Sequence, residues 1–495
     1  MKYEAGNNTV NIMQMQTRKA KIVCTIGPAC NGYDILKTLA ESGMNVARLN
    51  FSHGNHDSHA AALETIRSVE GEIGTPIAVM LDTKGPEIRT GLLKDHSSVM
   101  LAGGADFLLR FTPEDGDASG VYIDHKKLAQ EVHSGQYIYI DDGTIQLQAE
   151  GVSNAGIRCR VITGGVLGER KGVNVPGANL SVPTLTEKDI DDLHWGIKHN
   201  VDFIAVSFVR TASDVIEVRK VLGEDNSNIK IIAKIETKQS VDNIDEILAK
   251  SDGLMVARGD LGVEINTEDV PMVQKQIIEA CRSCGKPVIV ATQMLDSMIR
   301  NPRPTRAEAS DVANAIFDGT DAVMLSGETA GGRYPVEAVK MMDKIVRRAE
   351  SESQEWQKPI TAVELNNAAD AVSHAAKIAS ASLDASAILS ITMSGSTART
   401  VSKYRPHCPI IAATSSIATW RGLSLVWGVQ PVMAELTNEL ESSLKSALTI
   451  LVDEHVLMKN DTVVITAGMP IGVKGSTNML YIHKIGGRVI GGQRA

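Results

Sequence analysis

Short apolar runs alternate with amphipathic stretches along most of the chain, beginning at Ala20. The apolar runs predict strands, and the stretches with helical spacing of apolar residues predict helices between them. The predicted strands lie at residues 22–26, 45–51, 77–81, 202–208, 230–236, 254–260, 287–292 and 322–326. Because these runs are apolar at nearly every position, they are typical of parallel strands that are buried on both faces.

The strand–helix alternation stops after the third predicted strand. Residues 88–183 instead contain short strands with alternating apolar and polar positions, and the Asp142-Gly143 pair is a hairpin signal. This pattern predicts a small inserted β-barrel domain. Residues 1–17 are polar and predict a flexible N-terminal tail, whereas residues 358–495 predict a separate C-terminal α/β domain.

About eight strand–helix units remain when the insertion is left out, which is the number in a (β/α)8 TIM barrel. The alternative is an open doubly wound sheet, but no G-x-G-x-x-G turn follows the first strand. Polar residues favour the barrel, because nearly every predicted strand carries one at its carboxyl end, and a barrel gathers these ends on one face. We therefore predict a barrel at 18–87 and 184–357 with a β-rich lid at 88–183. The strand-end residues are Thr25, Arg48, Asn50, Asp82, Ser207, Lys234, Glu236, Arg258, Asp260, Thr292 and Ser326.

Two of the predicted strands each end in a cation and a carboxylate that stand two residues apart. Side chains at i and i+2 share one face of a strand, so Lys234 points the same way as Glu236, and Arg258 the same way as Asp260. If the two strands are parallel neighbours, about 4.8 Å apart, Glu236 and Asp260 could hold one hard cation such as Mg²⁺ or Mn²⁺ beside Lys234. The alternative is a pair of buried ion pairs with only a structural role.

Composition excludes several other classes of protein. A net charge of −9 argues against a nucleic-acid binder. No apolar run approaches the roughly 18 residues of a membrane span, and six scattered cysteines in 495 residues are not a disulfide framework. The expected setting is the cytoplasm.

The strand-end residues belong to longer motifs that resemble those of the pyruvate kinase family. The resemblance runs from about residue 18 to the C-terminus, and the motifs are long, ordered and specific. The family fold is a barrel with a β-rich lid after its third strand and a C-terminal α/β domain, which agrees with the division reached above. The motifs are ARLNFSHG at 47–54, LDTKGPEIRT at 81–90, KGVNVPG at 171–177, AKIE at 233–236, ARGDLG at 257–262, ATQML at 291–295 and MLSGETA at 324–330.

The resemblance implies transfer of the phosphoryl group of phosphoenolpyruvate to ADP, giving pyruvate and ATP in the last step of glycolysis. It implies that Glu236 and Asp260 bind Mg²⁺, and that Lys234 neutralises the phosphoryl group in flight. It also implies a K⁺ site, and Glu87 matches the residue found in K⁺-dependent members. The implied K⁺ ligands are Asn50, Ser52, Asp82 and Thr83.

Substrate contacts are implied in the same way. Thr292 and Ser326 would lie near the water that protonates the enolate; Ser326 could instead be a satisfied core hydroxyl, and His53 only a loop residue that caps the following helix. The implied nucleotide contacts are Arg48, Asn50, His53, Arg89 and Lys171. The implied contacts to phosphoenolpyruvate are Arg48, Lys234, Gly259, Asp260 and Thr292.

The C-terminal domain carries a candidate regulatory site. The loop Ser394, Gly395, Ser396 and Thr397 follows a strand and precedes a helix, so its N–H groups and hydroxyls suit an anion, although ordinary turn chemistry is the alternative. In the family this loop belongs to the site of a phosphorylated allosteric effector, and members are commonly homotetramers. Met393 stands where effector-binding members can carry a basic residue, which argues against fructose-1,6-bisphosphate and leaves a sugar monophosphate or a nucleotide.

Two other functions remain as alternatives at this point. One is a different phosphoenolpyruvate or pyruvate enzyme on a barrel, such as a mutase or lyase, but such enzymes have no need of a nucleotide lid with Arg89 and Lys171. The other is a catalytically inactive regulator that binds a metabolite. It is disfavoured by an intact set of Lys234, Glu236, Asp260 and Thr292.

Overall fold

A computed structural model describes residues 18–178, 180–226, 228–356, 367–470 and 475–487. The predicted N-terminal tail, 1–17, lies outside this range. The first part of the barrel follows the predicted alternation, with a capping box at Asn55 and Ser58 that begins the second helix. Its elements are β1 (Lys21–Thr25), α1 (Tyr33–Glu41), β2 (Val46–Asn50), α2 (His56–Ile73) and β3 (Ala78–Asp82).

The insertion after β3 is rich in strands, as predicted, and has a hydrophobic core of its own around Phe107 and Leu147. Its elements are a 3-10 helix (Lys94–His96), β4 (Val99–Leu101), β5 (Asp106–Arg110), β6 (Gly120–Tyr122), α3 (Leu128–Glu131), β7 (Tyr137–Ile140), β8 (Ile145–Ser153), β9 (Gly156–Thr163), β10 (Gly165–Leu167) and β11 (Val173–Asn174). Among the described residues, these strands pair as a six-stranded sheet, β11-β7-β8-β9-β5-β6, and a two-stranded sheet, β10-β4, rather than as one small closed barrel. The hairpin predicted at Asp142-Gly143 joins β7 to β8.

The second part of the barrel begins at Thr186, which caps a helix in a box with Asp189. Its elements are α4 (Glu187–Lys198), β12 (Phe203–Val206), α5 (Ala212–Leu222), a 3-10 helix (Glu224–Asn226), β13 (Lys230–Ile235), α6 (Lys238–Asp242), α7 (Ile244–Lys250), β14 (Gly253–Ala257), α8 (Arg258–Glu264), a 3-10 helix (Thr267–Asp269), α9 (Val270–Cys284), β15 (Val288–Ala291), a 3-10 helix (Asp296–Ile299), α10 (Arg306–Asp318), β16 (Ala322–Leu325), α11 (Gly327–Ala330) and α12 (Pro335–Trp356).

Eight parallel strands close into a barrel in the order β1-β16-β15-β14-β13-β12-β3-β2. This confirms the predicted barrel and excludes the open doubly wound sheet. The strands are buried along nearly their whole length, which explains why they read as continuous apolar runs. Their carboxyl ends meet on one face, where the predicted site residues lie.

One strand boundary was predicted wrongly. The strand predicted at 254–260 ends at Ala257, and Arg258, Gly259 and Asp260 form the first turn of α8. Arg258 and Asp260 are therefore not i and i+2 neighbours on a strand. A carboxylate in the first turn of a helix is favoured by the helix dipole, so Asp260 suits the helix that begins here.

The C-terminal domain is a five-stranded sheet, β19-β18-β17-β20-β21, in which only β21 is antiparallel. It meets the amino ends of the barrel strands, where Lys21 Nζ donates to Val429 O at 2.7 Å. Its elements are α13 (Ala368–Ser382), β17 (Ala387–Ile391), α14 (Ser396–Lys403), β18 (Ile410–Thr414), α15 (Ile417–Gly422), a 3-10 helix (Leu423–Leu425), β19 (Val429–Met433), α16 (Leu440–Asp453), β20 (Thr462–Gly468) and β21 (Thr477–Lys484).

Candidate active site

Lys234 lies at the centre of the polar cluster at the barrel mouth. It stands near the end of β13, and its Nζ contacts Ser207 Oγ at 2.7 Å, Glu236 Oε1 at 2.9 Å and Asp82 Oδ1 at 3.1 Å. Burial by itself would lower the pKa of this ammonium, but the charges of Asp82 and Glu236 outweigh burial and raise it. Lys234 therefore stays protonated at neutral pH although it is buried.

Asp82 links Lys234 to a second cation. Arg48, on the neighbouring strand β2, donates from Nε to Asp82 Oδ2 at 2.6 Å and from Nη1 to Thr25 Oγ1 at 2.9 Å. Burial would raise the pKa of the Asp82 carboxyl, but Arg48 and Lys234 overcome it and lower the pKa. Asp82 is thus a fixed anion that holds two cations, Arg48 from the neighbouring strand β2 and Lys234 from β13, which lies two strands away.

Glu236 and Asp260 form the carboxylate side of the cluster. Strands β13 and β14 are parallel neighbours, as the sequence pattern predicts. Glu236 is fully buried; its Oε2 accepts from the Phe208 amide at 2.6 Å, whereas Oε1 has no hydrogen-bond donor in bonding geometry, even though Lys234 Nζ lies near it. Burial raises the pKa of both carboxyls, and Asp260 raises that of Glu236 further. A positive charge bound between the two carboxylates would oppose this rise in their pKa values.

The turn after β15 brings Thr292 against the start of α8. The Thr292 hydroxyl accepts from the Gly259 amide at 2.8 Å and donates to Ala291 O at 2.7 Å. Thr292 has φ of 66°, which is rare for a β-branched residue. Arg258 supports this conformation, because its Nη2 donates to Thr292 O at 2.8 Å while its Nη1 binds both oxygens of Asp311. Arg258 is thus a positioning residue.

Ser326 follows β16 and carries a buried hydroxyl with no hydrogen-bond partner among the described residues. Its backbone is fixed, because the Ser326 amide donates to Glu328 Oε2 at 2.7 Å. An unpartnered buried hydroxyl costs free energy, so Ser326 is not the satisfied core hydroxyl that the sequence left as an alternative.

The predicted potassium ligands lie at the adjoining ends of β2 and β3. Asn50 and Asp82 are register partners on these strands. The Asn50 side-chain oxygen accepts from the Ser52 amide at 3.1 Å, and Thr83 Oγ1 accepts from the Ser207 amide at 3.1 Å. The side-chain oxygens of Asn50, Asp82 and Thr83 each accept a hydrogen bond within the protein.

His53 lies in the exposed loop after β2. It does not cap α2, because the cap is Asn55; instead its carbonyl accepts from His59 Nε2 at 2.9 Å. Its ring is open to solvent at the edge of the barrel mouth.

Arg89 and Lys171 come from the two chain segments that connect the lid to the barrel. These segments pair through a bridge between Arg89 and Gly172. Arg89 Nη2 contacts Glu87 Oε2 at 2.5 Å, and Lys171 Nζ contacts Asp141 Oδ1 at 2.9 Å. Both cations are therefore held at the base of the lid by carboxylates.

The candidate effector loop has the predicted position between a strand and a helix. β17 ends at Ile391, and α14 begins at Ser396 with Gly395 as its cap at φ of 78°. Thr397 Oγ1 contacts Thr477 Oγ1 at 2.8 Å, so the loop faces the turn between β20 and β21. Residues 471–474 of that turn lie outside the described residues.

Sequence reasoning missed the residues that position the cluster. Ser207 was noted only as a strand end, yet it contacts both Lys234 and Thr83 O, the latter at 2.7 Å. The Phe208 amide gives no sequence signal at all. Asp311 lies in the middle of a helix, and nothing in its local pattern links it to Arg258.

The donor set fits a divalent ion that is bound mainly by substrate and water. In the part of the chain that the structure describes, no group of three or more His, Cys, Asp and Glu side chains could hold a metal ion. Mg²⁺ commonly takes only one or two protein carboxylates together with phosphate oxygens and waters. Glu236 and Asp260 are two such carboxylates, and Glu236 Oε1 contacts only Lys234 Nζ among the cationic groups of the described residues.

A closed barrel with a protonated lysine between buried carboxylates at its mouth, beside an inserted β domain, defines a phosphotransferase of the TIM-barrel class. A family model for the barrel domain of pyruvate kinase matches residues 17–339, and one for its alpha/beta domain matches residues 370–483. Proteins named pyruvate kinase from Staphylococcus aureus strains MRSA252 and USA300 are each 49% identical over 481 residues, which cover 96% of this chain and 82% of theirs. The chain belongs to the pyruvate kinase family, as its motifs indicated. Within the described residues, no helix has the length and apolar character needed to cross a membrane.

Proposed function

We propose that this protein transfers the phosphoryl group of phosphoenolpyruvate to ADP and so forms pyruvate and ATP, the last step of glycolysis. The observation that carries the proposal is Lys234, a buried lysine that Asp82 and Glu236 keep protonated at the barrel mouth. Phosphoryl transfer needs fixed positive charge around the equatorial oxygens of the moving group and little covalent chemistry. Lys234 supplies such a charge without reorganisation.

Glu236 and Asp260 would hold Mg²⁺ or Mn²⁺. The raised pKa values of both carboxyls, caused by burial, support this assignment. When bound, the divalent ion supplies positive charge for phosphate and substrate oxygens. The Phe208 amide orients Glu236 for this role by holding Oε2 at 2.6 Å.

Asn50, Ser52, Asp82 and Thr83 would hold K⁺. Their amide, hydroxyl and carboxylate oxygens are hard donors at adjoining strand ends, which suits an alkali cation. A bound monovalent ion would add positive charge beside Asp82, and Arg48 would be free to share its own charge with a substrate. Glu87 is consistent with K⁺ dependence through the family resemblance.

The substrate carboxylate would be bound at the start of α8. The Gly259 and Asp260 amides point out of a helix N-terminus, and the Gly259 amide is bonded only to the Thr292 hydroxyl at 2.8 Å. A carboxylate can take the place of that hydroxyl as acceptor from the Gly259 amide, and Thr292 Oγ1 would donate to the substrate once its O–H turned away from Ala291 O. Arg48 and Lys234 complete the contacts to phosphoenolpyruvate.

Protonation of the enolate would take place between Thr292 and Ser326. The Ser326 hydroxyl is unpartnered and the Thr292 hydroxyl is held near Gly259, so both are able to orient one water. Lys234 would stabilise the enolate oxygen while the proton is delivered.

The nucleotide would lie between the barrel and the lid. Arg89 and Lys171 stand on the two paired segments at the lid base, and Arg48, Asn50 and His53 stand at the end of β2 or just beyond it. In the free enzyme, Glu87 holds Arg89 and Asp141 holds Lys171. Movement of the lid would carry both cations toward the phosphates of ADP.

Regulation and assembly are proposed from the family resemblance together with the loop geometry. A phosphorylated effector would bind at the start of α14, to Ser394, Gly395, Ser396 and Thr397. The enzyme would be a homotetramer and would act in the cytoplasm. A thermal-shift screen of sugar phosphates and nucleotides identifies the effector. A stabilising ligand whose effect survives Ser396→Ala with Thr397→Ala would place the site elsewhere.

A coupled assay of pyruvate formation tests the proposed reaction. Purified protein receives phosphoenolpyruvate and ADP with Mg²⁺, and K⁺ is present or is replaced by tetramethylammonium. We expect turnover that needs both cations. Absence of pyruvate at saturating substrate would refute the proposed reaction, whereas equal rates without K⁺ would refute only the K⁺ site.

A further inference from the structure

A second polar cavity lies at the opposite end of the barrel, between the amino ends of β15 and β16 and helix α14 of the C-terminal domain. The empty space in it, most of which belongs to its open mouth and to gaps between side chains, is about 260 Å³. Five of the residues that line it are cationic and one is acidic. The cations are Arg282, Lys286, Arg399, Lys403 and Arg405, and the carboxylate is Asp321.

Several donors of these arginines have no acceptor. Nε and Nη1 of Arg405 and Nε of Arg282 are buried without a hydrogen-bond partner among the described residues. The Arg405 side chain is only 7% exposed and stacks on Trp427, with its guanidinium carbon 4.4 Å from the ring centroid. Buried guanidinium donors are normally bonded, so the missing acceptors call for an explanation.

The charges around the cavity do not balance. Asp321 pairs with Arg405 at 3.0 Å, and Asp370 pairs with Lys403 at 3.1 Å. The other three cations are bonded to backbone carbonyls: Arg282 to Asp318 O at 3.3 Å, Lys286 to Ser251 O at 2.7 Å and Arg399 to Ser394 O at 2.7 Å. Carbonyls are dipoles without net charge, and carboxylates outside the bonded pairs offset only part of the charge: Asp318, Glu279 and Asp321 act on Arg282, and Asp252 acts on Arg399.

The cations also disfavour one another. Burial lowers the pKa of the Arg282 guanidinium, and the neighbouring charge of Arg405 lowers it further. Burial likewise lowers the pKa of Arg399. Asp321, Glu279 and Asp318 oppose this effect on Arg282 only partly. An anion among the cations would reduce their repulsion and would supply the missing hydrogen-bond acceptors.

We propose that this cavity binds a small inorganic anion, of the size and charge of phosphate, that joins the C-terminal domain to the base of the barrel. Arg282 and Lys286 belong to the barrel, whereas Arg399, Lys403 and Arg405 belong to the C-terminal domain. One anion would therefore bridge the two domains. Planar guanidinium groups with free N–H donors are the side chains best suited to an oxyanion.

Inorganic phosphate is the probe, and Trp427 is the reporter because Arg405 stacks on it. Intrinsic fluorescence of the full chain is followed as phosphate replaces gluconate at constant ionic strength. We expect a saturable change in the wild type that is lost in Trp427→Phe. The loss of one charge-assisted hydrogen bond should weaken binding about tenfold in Arg282→Gln.

Two further variants guard against misfolding and non-specific effects. Lys403→Gln removes a cation from the opposite wall and should also weaken phosphate binding about tenfold. Arg348→Gln removes an exposed arginine, whose side chain is 73% exposed on α12, and should bind phosphate like the wild type. Arg399 is left unchanged because it also holds the loop carbonyl of Ser394.

Three outcomes of the phosphate titration would overturn the proposal. A midpoint that is the same in the wild type, Arg282→Gln and Lys403→Gln would overturn it, and so would a non-saturable response in the wild type. A saturable signal that persists in Trp427→Phe would place the phosphate at another site and would also contradict the proposal.

Discussion

Replacing Lys234 with methionine removes one charge from the centre of the barrel mouth and keeps most of the side-chain volume. Lys234 Nζ lies 2.7 Å from Ser207 Oγ, 2.9 Å from Glu236 Oε1 and 3.1 Å from Asp82 Oδ1. All three partners are buried. The substitution therefore leaves two carboxylates without one of their counter-charges, and Arg48 remains only for Asp82.

Two magnitudes follow from this geometry. Removing one partner of a buried ion pair destabilises a protein by about 3–5 kcal/mol. Removing one preorganised charge that stabilises the transition state lowers kcat by about 10²–10³. If Lys234 acts on the phosphoryl group in flight, kcat should fall by at least this factor. KM for phosphoenolpyruvate should change less, because the proposed carboxylate contacts at Gly259, Asp260 and Thr292 are left unchanged.

The assay measures pyruvate formation at saturating and limiting phosphoenolpyruvate, and urea unfolding of the same preparations. Lys238→Met is the matched control, because Lys238 lies four residues further on, is 51% exposed and pairs only with Asp242. It should keep wild-type kcat and lose at most ~1 kcal/mol of stability. A kcat for Lys234→Met within threefold of the wild type, or an equal loss in Lys238→Met, would refute the assigned role.

Three other substitutions test neighbouring parts of the structure. Lys21 is buried, and burial together with Arg18 lowers its pKa to about 7. Between pH 7 and about 10.4 the unfolded chain therefore binds more protons than the folded chain, so stability should rise with pH across this window. Urea unfolding at pH 7 and 9 should show that Lys21→Met loses this rise. Arg258→Gln removes the ion pair with Asp311 and the hydrogen bond to Thr292 O. Because hydrogen bonds to charged groups contribute ~1.5–3 kcal/mol, steady-state kinetics should show that KM for phosphoenolpyruvate rises about tenfold or more. An unchanged KM would contradict the positioning role. Ser207→Ala removes the bonds to Lys234 and to Thr83 O; urea unfolding should show a loss of about 1–3 kcal/mol, and no loss would mean that these contacts contribute nothing to stability.

The parts of this structure that depend on local periodicity could be predicted from the sequence. Parallel strands that are buried on both faces are apolar at nearly every position, so the barrel strands could be predicted from continuous apolar runs in the sequence. The side-chain alternation of a strand placed Lys234 and Glu236 on one face, and their ion pair at 2.9 Å agrees with it. Both features follow from backbone geometry over a few residues, so no long-range information was needed.

Long-range partners were not predictable from the same patterns. Asp82 binds Lys234 across 152 residues of chain, and that contact depends on how the barrel closes. The Phe208 amide that holds Glu236 is a backbone group, which no residue type reveals. The start of α8 was mistaken for the polar end of a strand because it directly follows the apolar run of β14. The contact that marks the turn, from the Gly259 amide to Thr292 Oγ1, comes from another strand end.

Two of the residues that complete the site have a strained backbone. Phe208 has φ of 54° and Thr292 has φ of 66°, conformations that cost of order 1–3 kcal/mol for non-glycine residues. Such residues persist only where surrounding contacts fix them. In each case the contact that fixes the strained residue also places a functional group: Phe208 donates its amide to Glu236, and Thr292, held by Arg258, accepts from Gly259. The strain is therefore coupled to the positions of the proposed metal ligand and carboxylate site, and a change that relaxed either turn would move those groups.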